Sequence, residues 1–304
     1  MLKSFAFANG VAVLFATGAL AGSGYPSGSS SCPSLSVSLK SALRSAISQA
    51  HGQLGLGLNM WATIVAPDGR VCSVVYSSDD AIQGQWLASR LISAQKAFTA
   101  VTLSLQTTSN SGSGSSLANG RLALSTANLY SAVQPGGSLF GLQHSNPLFA
   151  PGAYGDTIAI GSNGPTPASY SPGGQNLATY AGPITTATYG TTNDPMIGQV
   201  IGGVNVFGGG LALYGKGGVK VGGLGVSGDA SCTDHLIAWN LRHNIGLDHL
   251  GSIAGVSGDA AHPDNIVFDI VNGQSAGGFG HPTCGGASNS AASAVANSLP
   301  AVAP

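Results

Sequence analysis

The sequence predicts a mixed α/β chain of the α+β kind, with helices and short strands sharing one core that a long irregular insertion interrupts. Two observations carry this prediction. Apolar residues recur at helical spacing in three separate segments, and short β-rich runs punctuated by glycine or by a Pro-Asp-Gly turn lie between them.

The first helix is predicted over 34–53. Leu35, Leu39, Ala42, Leu43, Ala46, Ile47, Ala50 and Leu54 line one face after a serine-rich start that can cap it, and Gly52, Gly55 and Gly57 end it. Asn59–Val65 and Val71–Tyr76 form a β-hairpin across Ala66-Pro67-Asp68-Gly69-Arg70, because proline presets the first turn dihedral and glycine accepts a positive one. Leu87, Leu91, Ala94, Phe98, Val101 and Leu105 then mark a second helix of about 20 residues, whose other face carries Lys96. From Thr107 to Val200 the chain turns to Ser, Gly, Asn, Pro and Tyr with few periodic apolar runs, the mark of a decorated insertion. Gly202–Val206, Leu211–Tyr214 and Val219–Val226 read as three short strands, Cys232–Asn244 as a helix and Ile266–Ile270 as one more strand. Gly285–Pro304 is Ala/Ser-rich and is expected to be a disordered tail.

Met1–Ala21 reads as a secretory signal peptide: Lys3 is the positive charge, Phe5–Leu20 the apolar stretch and Ala19-Leu20-Ala21 the small-residue cleavage site. A Gly/Ser linker over 22–33 follows, then a single domain over 34–284. The expected location is secreted or periplasmic, with no membrane span after cleavage. Lys and Arg number 10 against 11 Asp and Glu, so no basic surface invites nucleic acid. Only 7% of residues are charged. That is far below the roughly 25% of ordinary soluble chains, and the low mutual repulsion favours a homo-oligomer.

The cysteines Cys32, Cys72, Cys232 and Cys284 never form C-x-x-C, which points away from zinc and toward disulfides. Three pairings are possible. The preferred one joins Cys32 to Cys72 and Cys232 to Cys284, each stapling a terminal segment to the fold.

Several motifs bear on chemistry. Gly223-Leu224-Gly225-Val226-Ser227-Gly228 matches G-x-G-x-x-G with Asp248 twenty residues on, yet no clear βαβ unit follows. The preferred reading is close backbone approach, and no nucleotide cofactor is expected. Gly273-Gln274-Ser275-Ala276-Gly277 matches G-x-S-x-G without the strand and helix that a nucleophile elbow needs, and His281 follows too closely for a triad histidine. Asp248-His249 and His262-Pro263-Asp264 lack compact metal-site spacing. On the helix near 233–245, Ile237, Leu241 and Ile245 form an aliphatic face while His235, Trp239, Arg242 and His243 gather on another. That combination suits a haem, whose iron takes imidazole and whose propionates take arginine, and it suits a subunit interface equally.

Three segments together resemble the GlcG/HbpS-type haem-binding family: Trp61–Tyr76; Ala94-Gln95-Lys96-Ala97-Phe98-Thr99-Ala100; and Gly208–Tyr214 leading to Val221–Asp229 and Asp234. The resemblance covers about 35–106 and 200–245, around an insertion longer than the family's norm. It implies a profilin-like antiparallel sheet flanked by helices, haem or iron-porphyrin binding, assembly into oligomers and, in some secreted members, sensing of redox stress. Lys96 and Thr99 fall on the family's helix motif, which places Thr99 closest to the haem. The helix after Gly228 carries fewer acidic residues than many members, so the resemblance leaves the ligand identity open. The resulting expectation is an exported, non-catalytic haem-binding protein, with His235 or His243 as candidate iron ligands. Two other readings stand beside it: an enzyme acting on a small organic acid or catabolic intermediate, and a structural oligomer with no ligand.

Overall fold

The computed structural model describes residues 31–50, 55–80, 84–106, 121–149, 153, 186–284 and 296–304. The signal-peptide reading, most of the linker and the centre of the insertion lie outside these residues.

Helix α1 (Leu39–Ala50) precedes the hairpin β1 (Trp61–Val65) and β2 (Val71–Tyr76), then helix α2 (Ser89–Leu103). The insertion contributes the short pair β3 (Leu105–Gln106) and β4 (Arg121–Leu122) and a single helical turn, α3 (Leu129–Ala132). Strands β5 (Gly210–Gly215) and β6 (Val219–Ser227) follow, then helix α4 (Ser231–Asn244) and the small hairpin β7 (Ile270–Val271) and β8 (Gln274–Ser275). The main sheet has the order β2-β1-β6-β5, antiparallel throughout. Gly69, at φ 85°, makes the hairpin turn that Pro67-Asp68-Gly69 predicts.

Both faces of the sheet are covered, and the period-2 alternation of the strands decides what each face meets. Ala62, Ile64, Leu211, Leu213, Leu224 and Val226 pack beneath α1 and α4. On the opposite face Trp61, Val65, Val71 and Val74 meet Ala94, Ala97 and Val101 of α2, together with Tyr189, Met196 and Ile201. Part of the predicted insertion is therefore a second layer of the core. It is held there by Arg90 of α2, whose guanidinium binds the Asp194 carboxylate and the Ala153 carbonyl and lies over the Tyr189 ring.

Gly223 and Gly225 point at α2 rather than at a ligand. A Cβ on Gly225 would come 1.8 Å from the Ser93 carbonyl oxygen, and one on Gly223 2.4 Å from that of Ala97. The G-x-G-x-x-G match is thus the groove in which a helix backbone lies against a strand. Ser275 of the G-x-S-x-G match sits in the β7–β8 hairpin, where its hydroxyl donates to Asp269 and accepts from the Gly280 N–H.

Four sequence expectations are corrected. Gly202–Val206 forms no strand of the sheet; it is a loop that crosses α2, since its consecutive glycines at positive φ, Gly202 and Gly203, cannot hold a pleated run. Ile266–Ile270 is irregular up to Ile270, because the buried Asp264–Ile266 segment spends its polar groups on α4 instead of a ladder. Residues 186–200, expected as part of the irregular decorated insertion, supply buried side chains of the core, Tyr189, Asp194 and Met196. The end of the chain, expected to be a disordered tail, packs over 296–304: Ala296 and Leu299 are buried, the Pro300 carbonyl accepts from the Trp239 indole N–H, and Ala303 bridges His249. Low complexity there conceals one well-placed leucine and a carbonyl row that satisfies neighbouring donors.

The cysteines pair as Cys32–Cys72 and Cys232–Cys284, with Cα atoms 5.7 and 6.0 Å apart. By chain entropy each closed loop is worth about 4 kcal/mol against the unfolded state. No helix among the described residues is long and apolar enough to cross a membrane.

Candidate functional site

The polar residues singled out by the sequence converge on helix α4 and on the loop that crosses its start. Asp234, in the first turn of α4, accepts from the Asp229 N–H and from Lys96 Nζ at 2.6 Å. Lys96 also donates to the Val226 carbonyl at 3.0 Å and faces the Phe207 ring. Burial lowers Lys96 below its ordinary pKa and raises Asp234 to about 6, against the attraction between the two. Thr99, one turn along α2, donates to the Gln95 carbonyl and accepts from the Asn205 N–H. Lys96 and Thr99 are both completely buried and spend their polar atoms on the chain itself: together they clasp α2, α4 and the 205–210 loop.

Further along α4, three of the four clustered residues do come together. The rings of His235 and Trp239 lie 6.0 Å apart, and the Arg242 guanidinium sits 4.5 Å from the Trp239 ring centre. Their polar atoms, however, are turned inward. Arg242 grips Asp264 through two nitrogens at 2.6 and 2.8 Å and donates to the Ala212 carbonyl. His235 Nε2 lies 3.1 Å from both the Ile266 nitrogen and Asn265 Oδ1, and burial lowers the ring's pKa to about 4, so it is neutral.

His243 stands apart, in the last turn of α4. Its side chain is 48% exposed, and its Nδ1 lies 2.7 Å from Asp248 Oδ2. A carboxylate on Nδ1 fixes the ring and leaves Nε2 as the nitrogen for a ligand, the arrangement that supports a metal-ligating histidine.

At the other end of α4 a group forms that sequence reasoning had not assembled. His281 Nδ1 is 2.6 Å from the Pro282 carbonyl oxygen, so Nδ1 carries the proton and Nε2 the lone pair. The Ser231 hydroxyl, 2.8 Å from that Nε2, donates to it and accepts from the Gly208 N–H at 2.6 Å. Burial lowers the His281 pKa to about 4. The Cys232–Cys284 disulfide lies alongside, and the Cys232 N–H donates to Cys284 Sγ at 2.9 Å. A sequence signal existed in the short step from His281 to Cys284, but the fifty residues separating Ser231 from His281 hid the rest.

A groove of about 620 Å³ opens beside this end, between Tyr130–Gly137 and the β7–β8 hairpin, and reaches Pro282. Its lining includes Tyr130, Gln134, Gln274 and Ser275 and bears no carboxylate, amine or imidazole. A second, of about 490 Å³, lies among Pro33, Pro67, Lys220 and Leu247. There the Lys220 ammonium donates to the Val101 and Ser104 carbonyls.

No protein-family model matches the chain, and no curated protein matches it. Among solved structures it is similar to a PduOC:heme complex, with a TM-score of 0.38 and 20% identity over 71% of this chain and 97% of that one. It is similar also to the Klebsiella pneumoniae protein ORFY, of family DUF336, with a TM-score of 0.36 and 18% identity over 71% of this chain and 94% of that one.

Proposed function

We propose that the protein is an extracytoplasmic, non-catalytic haem-binding protein that takes the iron through His243. The observation that carries this reading is the His243–Asp248 pair. Of the residues singled out for haem, Thr99, expected closest to it, and His235, a candidate iron ligand, are sealed in the core, whereas His243, the other candidate ligand, combines exposure with a fixed Nδ1. Bound haem would supply the redox and ligand chemistry of its iron. The chain's own part is to hold the imidazole tautomer through Asp248 and to fix the end of α4 against the sheet.

The non-catalytic character rests on charge. Arg90, Lys96 and Arg242 are each buried and each closed by a buried aspartate, so these groups are structural and none faces the grooves. Two disulfides agree with an oxidising compartment. Titrating haemin into the mature protein should give a saturable Soret shift that His243→Ala removes, while His235→Ala and Thr99→Ala retain it. An unchanged spectrum with His243→Ala, beside loss with Thr99→Ala in a folded variant, overturns the assignment.

A further inference from the structure

The two disulfides differ in what surrounds them. Near Cys232–Cys284 lies an imidazole, and one ligand atom from each of Cys232, His281 and Cys284 falls within 4.8 Å of the others. Among the described residues Cys32–Cys72 has no such neighbour. Bare Cys spacing pointed away from zinc; the fold supplies the third donor from across the molecule.

We infer that Cys232, Cys284 and His281 form, when the disulfide is reduced, a binding site for one thiophilic divalent ion, with Zn²⁺ as the fitting species. The argument is geometric. With Zn–S near 2.3 Å and Zn–N near 2.0 Å at tetrahedral angles, donor atoms sit about 3.5–3.8 Å apart. A ring nitrogen of His281 already falls within 4.8 Å of both sulfurs, and the sulfurs, bonded now and so closer than a zinc ion needs, have room to move apart once their bond opens, the Cα atoms being 6.0 Å apart.

Supporting contacts are in place. His281 holds its Nδ1 proton on the Pro282 carbonyl, the outer-shell arrangement that directs the Nε2 lone pair of a metal-ligating histidine. Among the described residues that lone pair meets the Ser231 hydroxyl, a proton donor that can rotate away. The Cys232 N–H already donates to Cys284 Sγ, a bond that strengthens when the sulfur becomes an anion. Two thiolates and an imidazole are soft and borderline donors, which select zinc over calcium or magnesium. A groove passes beside the three residues and reaches Pro282, two residues before Cys284.

The chemistry balances with a dithiol reductant. Its thiolate attacks one sulfur, a mixed disulfide forms, and the second thiol closes the reductant's own disulfide. Two electrons and two protons pass to Cys232 and Cys284. Binding of the ion then displaces both thiol protons to solvent. This site is independent of the haem reading, since it lies at the other end of α4 and is probed without haemin.

Co²⁺ is the probe, added to the full mature chain after reduction with a trialkylphosphine, which itself ends as the phosphine oxide. The expected result is one equivalent bound with thiolate-to-cobalt charge-transfer absorption and the intense visible bands of a tetrahedral site, all displaced by Zn²⁺. The oxidised protein should give none. Cys284→Ser should lose the charge-transfer band, and His281→Ala should weaken binding by on the order of tenfold or more. The Cys32→Ser/Cys72→Ser double variant should keep the site, which separates it from adventitious binding by a reduced, unfolded chain. Absence of the band in reduced protein that stays folded by circular dichroism overturns the inference. So does a band that survives in Cys284→Ser or vanishes in the Cys32→Ser/Cys72→Ser variant.

Discussion

Helix α4 carries an imidazole at each end, and the two live in opposite worlds. His281, at the start, belongs to another segment and is 4% exposed; its proton goes to a backbone carbonyl and its lone pair to a serine. His243, at the finish, belongs to the helix and keeps half its surface in water, with a carboxylate on Nδ1. Carbonyl and carboxylate do the same job of fixing a tautomer. What differs is access: the first ring is buried beside a groove that reaches its neighbour Pro282, whereas the second is open to solvent over about half its side chain. Burial, rather than residue type, therefore divides the candidate sites of this chain.

The strongest way to break the comparison is to damage the middle of the helix that joins the ends. Asp264→Ala leaves the Arg242 guanidinium buried against Trp239 with no countercharge, and removing one partner of such a pair costs about 3–5 kcal/mol. A urea unfolding midpoint should fall steeply. The double variant Arg242→Met/Asp264→Leu should recover much of the loss, because both charges leave the core together. If Asp264→Ala unfolds like the parent, the pair contributes nothing and α4 is held by its aliphatic face alone.

Next in size is the staple at the start of α4. Cys232→Ser/Cys284→Ser opens a loop spanning 52 residues and should cost about 2–4 kcal/mol, read as a lower thermal midpoint in the absence of reductant. Haemin binding at the far end should survive in the folded fraction. Loss of both together in folded protein would mean that the ends are one site, not two.

How much of this was legible in sequence depends on range. Helical periodicity and the Pro-Asp-Gly turn are local, and α1, α2, α4 and the β1–β2 hairpin follow from them in type and order, although α1 begins at Leu39 rather than 34 and α2 has 15 residues rather than about 20. Grouping His235, Trp239 and Arg242 on one face also followed from 100° per residue, but the direction in which they discharge their polar atoms did not. That direction is set by Asp264, Asn265 and Pro300, which arrive from distant segments. Asp194, buried in the low-periodicity insertion, is invisible for the same reason: its partner Arg90 lies 104 residues away. Glycine patterns misled in the opposite sense. Gly223 and Gly225 look like a phosphate loop because close approach of any backbone needs the same residue, and here the backbone is that of α2.

Acid should sharpen the contrast between buried and exposed rings. The folded-state pKa of His235 lies near 4, below its ordinary 6.5, because burial outweighs the favourable nearby Asp264; Arg242 and His281 push the same way as burial. The unfolded chain therefore binds more protons between about pH 6.5 and 4, and stability present above that window is lost as pH falls through it. His281, lowered likewise, adds to the loss. Asp234 opposes it, since its raised pKa near 6 lets the folded chain take a proton first. With two imidazoles against one carboxyl the net slope is a loss. Urea midpoints at pH 7, 6 and 5 should fall in that order, and His235→Gln should flatten the fall; an unchanged slope means that His235 is protonated inside the fold.

The smallest effect on stability belongs to the residue with the largest expected effect on function. His243→Ala removes a half-exposed ring and its contact with the buried Asp248 carboxylate, so its unfolding free energy should fall by about 1 kcal/mol. Haemin ligation should nonetheless disappear. Asp248→Asn is the finer test, because it keeps the shape while weakening the hold on Nδ1, and outer-shell changes of this kind lower ligand affinity by about 10–100-fold. Asp248 is itself buried and its backbone bridges Tyr214 and Ala303, so the amide preserves packing that an alanine would disturb. A weakened Soret transition in Asp248→Asn at unchanged thermal midpoint would assign the pair a positioning role. Equal haemin affinity in both proteins would reduce the His243–Asp248 contact to an ordinary end of a helix.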